Sequence, residues 1–193
     1  MTKRWIVTAV IAIPLLAALA MYLMGREVIC TCGYIKFWHG VVFSSENSQH
    51  LFDWYSFTHI LHGLGFYLLI TIIEKLTGRN ISLPAKFLAA VCLESAWEVL
   101  ENSDFIINRY RAVTISLDYF GDSIINSMGD ILAMMLGFWV AAKKPIWFSV
   151  GLVLLLEIGL LIAIRDNLTL NLIMLIYPLD AVKLWQSSGA LIH

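Results

Sequence analysis

Charge is scarce in this sequence: Asp, Glu, Lys and Arg together make up 14% of its 193 residues, and the net charge is −1. No Lys-rich or Arg-rich tract concentrates what there is. The chain therefore offers no basic field to nucleic acid, and no nucleic-acid partner is expected. Cysteine is also scarce, with three residues, too few for a disulfide framework. Internal repeats and low-complexity segments are absent, as are H-E-x-x-H, the Glu-x-x-His pattern and any recognisable nucleophile motif. What fills the chain is apolar residue, 60% of it, with a mean hydropathy of +0.79. That lies outside the soluble globular class.

This composition predicts an all-α, polytopic membrane helix bundle of five or six spans, one membrane domain over 1–193, with a polar cavity at the non-cytoplasmic side. About 20 apolar residues rising 1.5 Å each cross a hydrocarbon core roughly 30 Å thick. Spans are expected over about 5–24, 56–73, 84–101, 117–140 and 146–164. A possible short one over 168–185 is interrupted by Pro178, Asp180 and Lys183. Ala18-Leu19-Ala20 resembles a cleavage site, but the first apolar run continues past it, so an anchored helix is expected. Residues 25–55 carry Tyr34, Phe37, Trp38, Phe43, Phe52, Trp54 and Tyr55 among polar residues, which suits a periplasmic loop at the membrane interface. Residues 102–116 read as another loop. Lys3, Arg4, Lys75, Arg79, Lys86, Lys143 and Lys144 fall on one side, against Arg26, Lys36, Arg109, Arg111 and Arg165 on the other. That excess favours a cytoplasmic N-terminus.

Two carboxylate ladders interrupt the apolar stretches. Glu94, Glu98 and Glu101 recur at i, i+4, i+7, and Asp118, Asp122, Asn126 and Asp130 recur every fourth residue, each set on one helical face. A charge within a membrane helix costs roughly 2.5–3.5 kcal/mol on insertion scales unless it meets a partner or a wet cavity. His59 and His62, at i, i+3, add two imidazoles at the same expected level, with Gly63 and Gly65 allowing a close helix approach. Imidazoles facing carboxylates suit a divalent metal such as Zn, Mn, Fe or Mg, with His59, His62, Glu94, Glu98, Asp118 and Asp122 as ligands. The same groups suit a proton relay. Glu94, Glu98, Asp122 and Asn126 are the candidate catalytic residues. Arg109, Arg111 and Arg165 are candidates for holding an anionic head group, with charge balance for the ladders as the alternative.

Several residues stay open between two roles. Glu101 either joins the site or pairs with Arg109 or Arg111, and Asp130 either joins it or serves helix packing. Asp118 alone suits a helix cap, whereas Asp122 and Asn126 read as too deep for capping. Residues 44–50 form either a lid or a solvated loop. Cys30 and Cys32 either bind a metal or act in redox chemistry, or else pack as small hydrophobes or join under oxidising conditions. Cys92 reads as core filling.

Blocks in order along the chain carry a resemblance: Asn47 to His50, Ser56 to His59, His62-Gly63, Glu94 to Asn102, Arg109 to Arg111, Ser116 to Ser123, Asn126-Ser127 and Arg165 to Asn171. From about Cys30 to Trp185 the chain resembles the bacterial membrane proteins grouped as domain of unknown function 2585, also called uncharacterised protein family 0314. The resemblance implies a multi-pass protein of the bacterial inner membrane with no assigned activity. A shorter likeness, to the VanZ-like membrane proteins, rests on His59 or His62, Glu94 or Glu98, Arg109 or Arg111, Asp122 and Asn126. The residues together lead to the expectation of a membrane-embedded, divalent-metal-dependent hydrolase or transferase. It would act on an anionic lipid or lipid-linked substrate at the periplasmic leaflet, with membrane lipids as partners. The alternatives are a small proton-coupled transporter and a non-catalytic assembly or stability factor.

Overall fold

A computed structural model describes residues 3–114 and 119–188, and over these the regular structure is almost all helix. The helices are α1 (Lys3–Leu23), α2 (Ser56–Thr77), α3 (Leu83–Glu101), α4 (Asp104–Val113), α5 (Ile124–Lys143), α6 (Ile146–Ile164), α7 (Leu168–Ile176) and α8 (Asp180–Ser187). Four stretches, Arg4–Leu23, Ser56–Thr77, Ile124–Lys143 and Ile146–Ile164, are long and apolar enough to cross a membrane. α3 matches them in length but carries Lys86, Glu94, Glu98 and Glu101 within its 19 residues. Between α1 and α2, a two-residue strand β1 (Trp38–His39) pairs in parallel with β2 (Phe52–Asp53), closing the aromatic segment on itself.

Three expected elements differ. The stretch 102–116, expected as a loop, contains α4, started by Ser103, whose hydroxyl accepts the Ile106 N–H. The fourth apolar helix begins at Ile124, not near 117. Ser123 accepts the Asn126 N–H as its N-cap, and Gly121 upstream holds φ +93°, a left-handed conformation that a helix cannot contain. The segment 168–185 is two helices of nine and eight residues, each about 12–14 Å long and under half a bilayer core. The break surrounds Pro178, which disfavours a helical conformation at Tyr177 and cannot donate to the ladder.

The closest packing joins α2 to α5. A Cβ added at Gly63 would lie 2.0 Å from the Met134 carbonyl oxygen, and one at Gly137 would lie 2.0 Å from that of Ile60. The two backbones are thus in contact, which only glycine permits. At Gly65 an added Cβ meets nothing. α3 lies against α2 and α5, α1 against α3 and α5, and α6 along α2 and α5. Ile70, Ala90, Val91, Met134 and Phe138 make a dry cluster in one half of the α2–α3–α5 bundle. Because α3 runs opposite to α2 and α5, the other half of the same three helices receives His59, His62, Glu94, Glu98 and Asp130. Outward faces are apolar: α6 buries only Leu160.

Candidate functional site

Glu94 is the meeting point of the two imidazoles. His59 Nδ1 donates to Glu94 Oε1 at 2.5 Å, and His62 Nδ1 donates to Glu94 Oε2 at 3.1 Å. His59 Nδ1 is also 3.4 Å from Glu98 Oε1, and its Nε2 is 3.9 Å from Asp130 Oδ2. Two overlapping triads result, His59–His62–Glu94 and His59–Glu98–Asp130, each offering three ligand atoms within 4.8 Å of one another. Metal bonds of about 2.0–2.2 Å to nitrogen and carboxylate oxygen need ligand atoms slightly closer than that. Glu94 and Glu98 are fully buried.

The hydrogen bonding around these carboxylates is incomplete. Both oxygens of Glu98, Oδ1 of Asp130 and Oε2 of Glu101 are buried with no hydrogen-bond partner among the described residues. A buried ionised carboxylate without a partner costs several kcal/mol. One imidazolium at His59 can balance one of Glu94, Glu98 and Asp130, and the remainder calls for a cation or for protons.

Next to the triads is a cavity of about 70 Å³, walled by His59, His62, Glu101, Tyr110, Asp122, Asp130 and Asp166 among others. That volume is enough for several waters, given about 10–15 Å³ of such space for each. Its lining is acidic and hydroxylic, and contains no Lys or Arg among the described residues. Asn47 and Ser48 contribute to the wall, so part of the 44–50 run covers the site. Asp122 lies before α5. Its Oδ2 accepts from Asn102 Nδ2 at 3.0 Å, its Oδ1 from the Tyr119 hydroxyl at 3.0 Å, and its own N–H donates to Asn102 Oδ1 at 2.6 Å. Burial pushes its carboxyl up to about 6 against the opposing pull of Asn102. Asp166, between α6 and α7, accepts from the Tyr55 hydroxyl at 3.1 Å and from the Asn167 N–H at 2.9 Å. Burial raises it to about 6 as well. The Tyr110 hydroxyl donates to Asn171 Oδ1 at 2.8 Å.

Other expected site residues stand elsewhere. Asn126 is in the first turn of α5, and its Nδ2 donates to the His50 carbonyl at 2.8 Å. It ties the aromatic segment to α5 and does not line the cavity. Asp122 and Asn126, expected too deep for helix-end positions, flank the N-cap because the helix starts later than its apolar pattern suggests. Arg109 donates to the Leu175 carbonyl at 3.0 Å at the end of α7. Arg165 donates to the Trp185 carbonyl at 3.0 Å and to Ser188 at 2.7 Å. The Arg111 guanidinium lies over the Phe120 ring, 5.8 Å from its centroid. None of the three lines the cavity. Asp118 lies outside the described residues. Cys92 faces outward and does not fill the core. Cys30 and Cys32 are joined as a disulfide.

Residues not singled out complete the arrangement. Asp53 Oδ2 accepts the Ser48 N–H at 3.0 Å and its Oδ1 the Tyr55 N–H at 2.7 Å, shaping the entry to α2. Glu157, inside apolar α6, accepts the Leu168 N–H at 3.1 Å and the Thr169 N–H at 3.3 Å at the start of α7. A lone Glu in an apolar helix was the available signal for it. Tyr55, Tyr110 and Asn171 reach the site through tertiary packing, which no local pattern announces.

Comparison with known proteins agrees with this extent of chain. The family described as "Protein of unknown function (DUF2585)" matches residues 21–188. A "UPF0314 protein" of Paracoccus denitrificans is 51% identical over 180 residues, covering 93% of this chain and 91% of the relative. One of Brucella anthropi is 49% identical over 187 residues, covering 96% and 93%. One of Novosphingobium aromaticivorans is 50% identical over 167 residues, covering 86% and 84%. No solved structure matches the chain. With the family match spanning nearly every element that builds the site, and with relatives named UPF0314 protein at about 50% identity, the chain belongs to the DUF2585 family.

Proposed function

We propose that this is a multi-pass protein of the bacterial inner membrane whose buried His59–His62–Glu94–Glu98–Asp130 group holds a divalent cation and performs metal-dependent hydrolysis or group transfer on a lipid or lipid-linked substrate at the periplasmic leaflet. The observation that carries the reading is the set of buried carboxylate oxygens on Glu98 and Asp130 that lack hydrogen bonds while an imidazole stands within 4 Å of each residue. The outward apolar faces of α1 and α6 support a lipid setting, since Leu15, Leu16, Leu154, Leu155 and Ile162 are exposed. α3 then acts as a fifth span whose polar residues face inward.

Two imidazoles and three carboxylates form a mixed nitrogen–oxygen donor set that suits Zn or Mn better than Mg, which prefers oxygen and retains its waters. When bound, such an ion supplies an activated water and polarises an oxygen of the scissile group. The chain's own groups then handle protons, with Glu101 and Asp122 beside the hydroxyls of Tyr110 and Tyr119. Among the described residues the cavity lining has no Lys or Arg. In this reading the head group rests at the rim while the reacting bond reaches inward, and Arg109, Arg111 and Arg165 stand outside the cavity wall. The runner-up is a proton-coupled carrier, favoured by the same acidic and phenolic lining.

The test is the metal content of protein purified without chelator, read by elemental mass spectrometry beside thermal stability. Wild type should carry about one equivalent. Glu98→Gln and Asp130→Asn should each lose it while retaining a cooperative unfolding transition. A metal-free wild type, or variants that bind metal as wild type does, would overturn the metal reading and put the carrier first.

A further inference from the structure

A second set of ligand side chains lies in the segment between α1 and α2 and shares no residue with the first. Cys30, Cys32 and His50 offer three ligand atoms within 4.8 Å of one another, and His39, Glu46 and His50 offer three more. The second trio already holds a cation. Lys36 Nζ donates to Glu46 Oε2 at 2.6 Å and to His39 Nδ1 at 3.3 Å. The first trio holds none, and its two sulfurs are joined to each other.

We propose that the Cys30–Cys32 disulfide gates a metal site: once reduced, the two thiolates and His50 bind a thiophilic cation, Zn²⁺ or Cu⁺. Three observations carry this. First, the bond closes a loop of only three residues. The chain entropy that a crosslink removes grows with loop length, so a link this short does little to hold the fold and is free to serve chemistry. Secondly, the two sulfurs differ in access: Cys32 is half-buried, whereas Cys30 is only 3% exposed. An external dithiol reductant can attack Cys32 Sγ, so that the S–S bond breaks and its electron pair leaves on Cys30. The reductant's second thiol then resolves the mixed disulfide and frees Cys32. Two electrons and two protons pass to the protein, and the reductant becomes the disulfide. The Cys32 N–H, which points at Cys30 Sγ from 3.1 Å, stabilises the departing thiolate.

Thirdly, the imidazole is held in place. The His50 ring is buried, stacked on Tyr34 with centroids 5.5 Å apart. Its Nδ1 accepts the Lys36 N–H at 3.2 Å and its Nε2 donates to Glu46 at 2.9 Å. A cation at one ring nitrogen replaces one of these hydrogen bonds, and the other continues to orient the ring, as outer partners of metal-bound histidines do. Two thiolates and an imidazole favour thiophilic ions over Mg or Ca.

The experiment titrates full-length, metal-free protein in detergent with Co²⁺, with and without a phosphine reductant, and reads the near-ultraviolet thiolate-to-cobalt absorption. The band should appear only after reduction, vanish in Cys30→Ser and in Cys32→Ser, and need at least tenfold more Co²⁺ in His50→Gln. Cys92→Ser should leave it unchanged. A band in both redox states or in neither, or a band that survives either serine variant, overturns the proposal. Glu98→Gln, which impairs the intramembrane group, should keep the band, so the two sites fail separately.

Discussion

Asp122 shows what a buried acid does to a residue's pH response. Its carboxyl is pushed from 3.8 up to about 6, so between those values the folded chain binds this proton more tightly than the unfolded chain. Stability from this group is therefore greatest below pH 3.8, declines as pH rises towards 6, and stays level above. Two pK units bound the loss at about 3 kcal/mol. Asp122→Asn removes the titration, and the Tyr119 hydroxyl can rotate to accept in place of donating. Thermal melts between pH 4 and pH 8 should fall less with rising pH in the variant than in wild type, and parallel curves would refute the assignment. Gly63 poses a steric question. With a Cβ 2.0 Å from the Met134 oxygen, Gly63→Ala should cost at least about 1–3 kcal/mol by overpacking, whereas Gly65→Ala should be neutral or stabilising. Denaturation in detergent separates them. His59 and His62, and likewise Glu94 and Glu98, are legible because helical phase puts each pair on one face and the span boundaries put both pairs at one depth. Asp53 and Tyr110 are not, since their positions depend on turns and packing between distant segments.

At the scale of elements, an unbroken pattern proved readable and a broken one did not. Glu94, Glu98 and Glu101 stay on one face because α3 runs through all three. The Asp122–Asn126–Asp130 series looks equally regular, yet Gly121 and Ser123 start a helix partway along it, so Asp122 belongs to the preceding turn. α4 does not read as a span because its polar residues offset its apolar ones, although Ile106, Ile107, Tyr110 and Val113 recur at helical spacing and make one buried face. α7 is a helix too short to stand alone, with its N-terminus held by side chains. Asn167 Oδ1 accepts the Leu170 N–H at 2.8 Å while Glu157 takes two others. Asn167→Ala should cost about 1 kcal/mol. Hydrogen exchange should quicken over 168–176 and leave α2 unchanged. Equal protection would mean that packing, not capping, holds α7.

The whole molecule is ordered by one division: a dry half around Phe138 and a polar half around His59, in the same three helices. In the proposed orientation, which follows the Lys and Arg count, the polar half faces the periplasm. Ser45→Cys, in the covering segment, should react with an impermeant maleimide on cells whose inner membrane is intact, and Lys144→Cys only after that membrane is opened. The reverse pattern would invert the orientation. Beside side-chain ties such as Tyr110 to Asn171 and Arg26 to Asp104, three ties around this bundle run from a cation to a backbone carbonyl: Arg109 to Leu175, Lys183 to Ala112 and Arg26 to Phe120. Every residue type presents the same carbonyl, so these fastenings are indifferent to what stands at the accepting position and wholly dependent on the donor. Tolerance to mutation should be lopsided across each tie, with Leu175 and Ala112 free to vary in side chain while Arg109 and Lys183 are not. Since a carbonyl does not titrate, these three ties should also hold unchanged across the pH range in which Asp122 and Asp166 take up protons.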